Sequence, residues 1–242
     1  MRSSEVSDIT GQTVSLVPLQ RAWLPILSGP LRGTKWLPAS GGKILRVLTG
    51  SYEPAQTRLF CESIRPGDTV LDVGAAAGYY TLLTSGLVGP QGGVIAFEPD
   101  SRNAAFLRNH VEANRIDNVS VFQIAVGAHD ETARFASGTG TGTGHLADDG
   151  TVSVQVRSLD NLVLSQHHRP SHIKIDVEGA ELAVIEGARK TLQKFRPVIF
   201  LSTHGQDVHQ ACCERLRELG YDLAPIDSKH LPGATEVLCR AA

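Results

Sequence analysis

Residues 69–80 read Thr-Val-Leu-Asp-Val-Gly-Ala-Ala-Ala-Gly-Tyr-Tyr. The apolar run 70–73 ends in a Gly/Ala turn and passes into a helix-like segment over 79–87. That is the pattern of a buried parallel strand feeding a helix through a tight loop. Gly74 and Gly78 leave bare backbone where a ligand can approach, with Ala75 between them and Tyr79 opening the helix. Asp72 sets a carboxylate at the strand end. A second apolar run, 94–97, ends in Glu98-Pro99. Ligands of open α/β sheets bind beyond the carboxyl ends of the strands. A carboxylate after the second strand suits the two hydroxyls of a ribose.

Two nucleoside cofactors compete for such a site. A dinucleotide wants G-x-G-x-x-G, so that backbone amides meet its pyrophosphate. Residues 74–78 are G-x-x-x-G instead. Asp72, two residues before the first glycine, would repel a pyrophosphate and welcome positive charge. S-adenosylmethionine carries an ammonium, a sulfonium and a ribose. The chemistry favours it over NAD.

The chain has 242 residues, 41% hydrophobic and 20% charged, enough for one α/β domain with a real core. A formal net charge of -2 lacks the basic footprint of a duplex-binding protein, so no nucleic acid partner is expected. The four cysteines, Cys61, Cys212, Cys213 and Cys239, show no C-x-x-C or zinc spacing and read as reduced thiols. The first residues are polar, without a signal core, and no apolar run reaches the ~20 residues of a membrane span. These features predict a soluble cytoplasmic protein with no membrane partner. They leave its oligomeric state open.

Residues 1–50 are rich in Pro and Gly and read as an N-terminal extension packing on the core, with the main domain over 51–242. A helix is expected over 55–65, a helix with Ala104, Leu107 and Val111 on one face, and a third strand over 119–126. Residues 131–157 break the alternation as a hairpin insertion around the Gly/Thr-rich loop 137–150, which lacks a phosphate-loop pattern and reads as a mobile loop that could serve as a lid. A fourth strand (172–177), a helix (180–195), a fifth strand (198–202) and a helix ending before Gly220 follow. Two last strands suggest a closing hairpin with an antiparallel strand at the sheet edge. Repeated β-α-β units predict a mostly parallel sheet with helices on both faces.

Several separated segments resemble one family, the FkbM-type methyltransferases, a branch of the Rossmann-like class I S-adenosylmethionine-dependent enzymes. They are Ser51-Tyr52-Glu53-Pro54, the run 65–75, Gly78-Tyr79-Tyr80-Thr81, the run 94–100, Ala125-Val126-Gly127, Ser158-Leu159-Asp160, and the distinctive run 173–181, Ile-Lys-Ile-Asp-Val-Glu-Gly-Ala-Glu. Their order and gaps agree over about residues 50–204. The resemblance implies a seven-stranded sheet and methyl transfer, commonly to a hydroxyl of a sugar or natural product. Family members often carry an acid at the end of the fifth strand, two before a histidine. Here Ser202 stands there, with His204 after it. That departure argues against a metal, and none is expected.

The expected cofactor set is Asp72, Gly74, Ala75, Gly78, Tyr79, Glu98, Pro99, Ala125, Val126 and Asp176. Ala125 and Val126, ending the third strand, would lie along the adenine. Asp176 ends the fourth strand, near both donor and acceptor. Glu181 reads as a charge favourable at a helix start. The expected catalytic pair is His204, an imidazole able to take a hydroxyl proton, and Asp176. The resulting reading is an O-methyltransferase acting on a small hydroxyl-bearing acceptor. Its rivals are a nucleic-acid-directed methyltransferase, an NAD oxidoreductase and a binding protein that keeps the cofactor pocket without turnover. The residues 176–179, Asp-Val-Glu-Gly, lack the Pro-Pro-aromatic motif of amino-methylating DNA enzymes.

Overall fold

A computed structural model describes residues 5–7, 13–15, 23–138, 144–227 and 230–242. Most of the Gly/Thr run (139–143) lies outside the described residues, as does most of the chain before Trp23. Two short hairpins open the chain, β1 (Glu5–Ser7) with β2 (Thr13–Ser15) and β3 (Leu24–Pro25) with β4 (Lys35–Trp36). The helices α1 (Ile44–Leu48) and α2 (Pro54–Ser63) follow. The alternation then runs β5 (Thr69–Val73), α3 (Tyr79–Val88), β6 (Gly93–Phe97), α4 (Ser101–Ala113) and β7 (Val119–Phe122). A side sheet contains β8 (Ala125–Val126), β9 (Glu131–Ala136), β10 (His145–Leu146) and β11 (Val152–Arg157). The chain continues through α5 (Leu159–Ser165), β12 (His172–Ile175), α6 (Glu181–Glu186) and α7 (Arg189–Phe195). It closes with β13 (Val198–Ser202), α8 (Gln206–Glu218), β14 (Tyr221–Pro225) and β15 (Glu236–Ala241).

The main sheet has seven strands in the order β14-β15-β13-β12-β5-β6-β7. The order reverses beside β5, which is where ligand crevices form in such sheets. β15 is antiparallel to both its neighbours, so β14 runs with the others. The antiparallel strand therefore stands one place in from the edge, not at it. The chain returning from β14 folds into the gap beside β13.

The apolar strands bury both faces, as parallel strands covered by helices must. Leu71, Val73, Ile95, Ile173 and Ile175 pack against α5, α6, α7 and α8. Val70, Val94, Ala96 and Phe200 pack against α2, α3 and α4, with Ile26, Trp36 and Leu37 of the N-terminal segment. Each fully buried Leu, Ile or Val contributes about 1.5–3 kcal/mol. His110 fixes that segment in place. Its ring stacks on Trp36 at 4.0 Å, Nε2 accepts from the Leu37 amide at 3.0 Å, and Nδ1–H donates to the Ala77 carbonyl at 2.8 Å. Burial drives its pKa down to about 4, so it stays neutral.

Two expected elements divide. The single strand over 119–126 is two strands, because Ala125 and Val126 leave the main sheet and pair in parallel with Val156 and Arg157. The helix over 180–195 breaks at Gly187. A Cβ there would lie 2.0 Å from the Gly127 carbonyl oxygen. The Gly187 carbonyl instead accepts from the Asp160 amide at 2.8 Å. The Asp160 carboxylate then accepts from the Lys190 and Thr191 amides at 3.0 and 2.7 Å, restarting the helix as α7. Ile185, Ala188 and Leu192 remain buried across the break, so the apolar period shows no interruption.

Candidate active site

The loop after β5 is shaped by close approaches. The Gly74 and Ala75 amides both donate to the Phe97 carbonyl at 3.0 Å, which folds the loop over the end of β6. Gly74 has φ +81, and a Cβ on it would lie 1.8 Å from the Asp176 carbonyl oxygen. No side chain is tolerated there, so β12 and the loop close on one crevice. The Ala76 amide donates to Glu98 Oε2 at 2.7 Å, and the Asp100 amide donates to Oε1 at 2.9 Å. Glu98 is only 5% exposed. Burial pushes its pKa up to about 7, against the pull of those two amides.

A cavity opens beyond these strand ends. Gly74, Glu98, Pro99, Ala125, Val126 and Asp176 line it, together with Asn103, Phe135 and Leu146. Its walls carry the residues expected for ribose and adenine. Four others of the expected set stand behind it. Ala75 and Tyr79 are buried in the loop and the start of α3, and the Tyr79 hydroxyl lies 3.4 Å from Thr57 Oγ1. Gly78, at φ +98, faces Leu107, where a Cβ would come within 2.3 Å of Cδ1.

Asp72 is the fourth, at 1% exposure. Its Oδ2 accepts from the Thr81 hydroxyl at 2.6 Å. Its Oδ1 makes no hydrogen bond and faces the Lys174 ammonium at 3.5 Å. Lys174 pairs with Asp72 in the β12–β5 register and is itself 3% exposed. It also lies 3.3 Å from Asp176 Oδ2 and donates to the Gly74 carbonyl at 3.1 Å. Burial works against the ammonium, yet Asp176, Asp72 and Glu53 overcome it and hold Lys174 above the ordinary lysine range. One buried cation thus joins the loop, Asp72 and Asp176.

A second cavity of about 500 Å³ adjoins the first and shares Ala76, Asp176 and Glu178 with it. Trp36, Tyr52, Glu53, Ser202, His204 and Glu236 are among its other walls. That size suits a small ligand. His204 stands at the shared edge. Its Nδ1–H donates to Glu181 Oε1 at 2.7 Å, and Glu181 is fully buried and also accepts from the Gly179 amide. Nε2 then faces Asp176 Oδ1 at 3.8 Å and Glu178 Oε2 at 3.5 Å. The Glu181 hydrogen bond raises the pKa of His204 against the cost of burial, with Asp176 and Glu178 adding to it. Glu178 is held in the left-handed region at φ +56, which turns the chain after β12 and aims its carboxylate back at the imidazole. Asp176, Glu178 and His204 bring one donor atom each within 4.8 Å of the others, a spacing that one divalent ion would also fit.

Sequence reading did not give Lys174, Glu181, Glu53 or Glu236 a place in the site. A lysine in an apolar strand, at the same height as an aspartate in another, is a signal that pairs Lys174 with Asp72. Glu53 precedes Pro54 and sits at φ +39, accepting from the Tyr80 hydroxyl at 2.8 Å. No comparable pattern marks Glu236.

A family model for the methyltransferase FkbM domain matches residues 72–223. Among curated proteins, the chain is 26% identical over 200 residues to the hexuronic acid methyltransferase AglP of Haloferax volcanii, covering 77% of this chain and 81% of that one. It is 27% identical over 167 residues to the 2-O-methyltransferase NoeI of Sinorhizobium fredii, covering 60% of this chain and 67% of that one. Among solved structures, the methyltransferase FkbM of Methylobacillus flagellatus is similar with a TM-score of 0.53 at 19% identity. The match covers 84% of this chain and only 56% of that one, so the chain spans little more than half that protein's length. A SAM-dependent O-methyltransferase from Thermotoga maritima gives a TM-score of 0.51 at 13% identity, covering 78% and 65% of the two chains. At these identities the two structures speak for the Rossmann-like α/β fold alone.

Proposed function

The chain belongs to the FkbM methyltransferase domain family, and from the two joined cavities we propose that it methylates a hydroxyl oxygen of a small sugar-like or natural-product acceptor, using S-adenosylmethionine. The observation that carries this reading is the shared edge. Asp176 and Glu178 line both cavities, and His204 presents Nε2 there while buried Glu181 holds its other nitrogen. The names of the two curated relatives support a sugar acceptor. Four unpaired cysteines fit a reducing cytoplasm.

The donor cavity fits the cofactor in its chemistry. Glu98, already aimed by two amides, has lone pairs left for the ribose hydroxyls. Ala125 and Val126 offer an apolar wall to the adenine. The bare Gly74 lets the ligand meet the backbone, and Ala75, Gly78 and Tyr79 hold that loop in shape. Pro99 closes the wall beside Glu98. Asp72 serves the donor from beneath, by fixing Lys174 under the Gly74 carbonyl and Asp176. When bound, S-adenosylmethionine supplies an electrophilic methyl on a sulfonium.

This chain's own residues do the rest. Asp176 orients the acceptor hydroxyl at the shared edge. His204 Nε2 takes the hydroxyl proton as the new oxygen–carbon bond forms. Glu181, Asp176 and Glu178 stabilise the resulting imidazolium. A positioned base of this kind contributes roughly 10²–10⁴-fold. No metal is required in this scheme, because His204 itself takes the proton. The test is incubation with S-adenosylmethionine and a panel of sugars and polyols, with mass spectrometry and NMR locating the new methyl group. A methyl ether supports the reading. Methylation only at nitrogen or carbon, or none while the cofactor binds, refutes it.

A further inference from the structure

The acceptor cavity is lopsided in charge. Glu53, Asp176, Glu178 and Glu236 line it, against Lys43 and His204. Three of the four carboxylates are already matched. Glu53 faces Lys43 at 3.7 Å and accepts from Tyr80, Asp176 faces Lys174, and Glu178 faces His204. Glu236 differs. It opens β15 opposite Ser202 of β13, half-buried in the cavity wall. Among the described residues its carboxylate has no ion pair and no hydrogen bond. The adjacent Asp227 offers no help, since its carboxylate is taken up by the hydroxyl and amide of Thr235. Glu236 also lies beyond the family match, which ends at residue 223.

A carboxylate with no ion pair or hydrogen bond among the described residues, set in a partly desolvated wall, has room for a ligand that brings a cation or strong donors. Burial, with Glu53, Asp227 and Asp176 around it, pushes Glu236 up to about 7 against the pull of Lys43, which lies beyond ion-pair distance and pairs with Glu53. The donor does not answer this need. Its ammonium and carboxylate cancel, and its sulfonium would be held in the donor cavity, whose lining does not include Glu236. The half-buried ring of Tyr52 in the same cavity offers an edge to the apolar side of a sugar ring.

Resting on the methyl-transfer reading above, we propose that Glu236 binds an ammonium group on the acceptor, so that the substrate is an amino-bearing sugar or polyol and carboxylate-bearing sugars are excluded. A negative wall costs a second carboxylate both desolvation and repulsion, which is how a site rejects a ligand as well as selects one.

The experiment uses the full chain loaded with S-adenosylhomocysteine at pH about 7 and three probes, glucosamine, glucose and glucuronate. Binding is read by calorimetry and saturation-transfer NMR. Glucosamine should bind at least tenfold more tightly than glucuronate, with glucose between. Glu236→Gln should narrow that ratio at least fivefold, and Glu236→Lys should reverse it, with circular dichroism confirming the fold. Equal or tighter binding of glucuronate, no binding of glucosamine, or an unchanged ratio in Glu236→Gln would overturn the proposal. The two readings fail differently. A chain that takes S-adenosylhomocysteine but shows no amino preference loses only this inference, whereas one that cannot be loaded loses both.

Discussion

Replacing Lys174 by Met tests how the site is held together. The side chains are similar in length, and the change removes only the ammonium. Asp72 is then left 1% exposed with a single neutral donor, the Thr81 hydroxyl at 2.6 Å. Asp176 is not stranded, because a third of its side chain reaches solvent. The cost is therefore mainly one uncompensated buried carboxylate, about 3–5 kcal/mol. For a domain of this size that corresponds to a fall in Tm of roughly 6–20 °C, at about 2–4 °C per kcal/mol. The assay is urea unfolding of the wild type, Lys174→Met, Asp72→Asn and the double variant. The double variant should recover most of the loss, since it removes the stranded charge as well, and the cycle gives the coupling directly. Asp176→Asn alone should cost less than about 1 kcal/mol. A Lys174→Met protein within about 1 kcal/mol of wild type, or a double variant no more stable than the single one, would refute the buried link between the loop and Asp176.

Glu98 titrates near 7 in the folded chain against 4.5 ordinarily. A raised carboxylate contributes stability that is full below the unfolded value and lost as pH rises through the folded one. Urea midpoints should thus decline between about pH 4.5 and 7 in the wild type, and that component should vanish in Glu98→Gln. Because the ribose needs the ionised form, cofactor binding near pH 6 should release protons, seen as buffer-dependent calorimetric heats. Binding without proton release would move the ribose contact elsewhere. His204→Ala should lower kcat at least tenfold and leave cofactor affinity nearly unchanged. The wild-type rate should fall as pH drops through a value above 6.5, and Glu181→Gln should move that limb back down. A wild-type rate and profile in His204→Ala removes the histidine from the mechanism. Dialysis against a chelator should leave turnover intact, and loss restored by magnesium would place an ion among Asp176, Glu178 and His204.

The strands and the ligand edge were legible because each buried strand is a short apolar run closed by a turn. Residues 70–73 and 94–97 needed nothing more, and the place of Glu98 follows from its position after the second run. Tertiary facts were not legible. Gly187 breaks a helix because another segment's carbonyl passes close by, and its neighbours keep the helical period regardless. Ala125 and Val126 look like a continuing strand but pair with a distant one. The antiparallel strand was foreseen and misplaced by one position, since hairpin sequence does not say on which side it folds back. The charge links were the deepest miss. Asp72 reads as an open carboxylate until β12 brings Lys174 alongside it. Glu181 reads as a helix-start charge until His204 arrives from β13.

The central claim is that the crevice beyond β5, β6 and β12 is a methyl-donor site. Calorimetric titration of the full chain with S-adenosylhomocysteine and, separately, with NAD tests it most directly. S-adenosylhomocysteine should bind at a single site that Glu98→Ala weakens, by roughly 1.5–3 kcal/mol for each ribose hydrogen bond lost, and NAD should give no heat of binding. Saturable NAD binding with no response to S-adenosylhomocysteine would contradict the account.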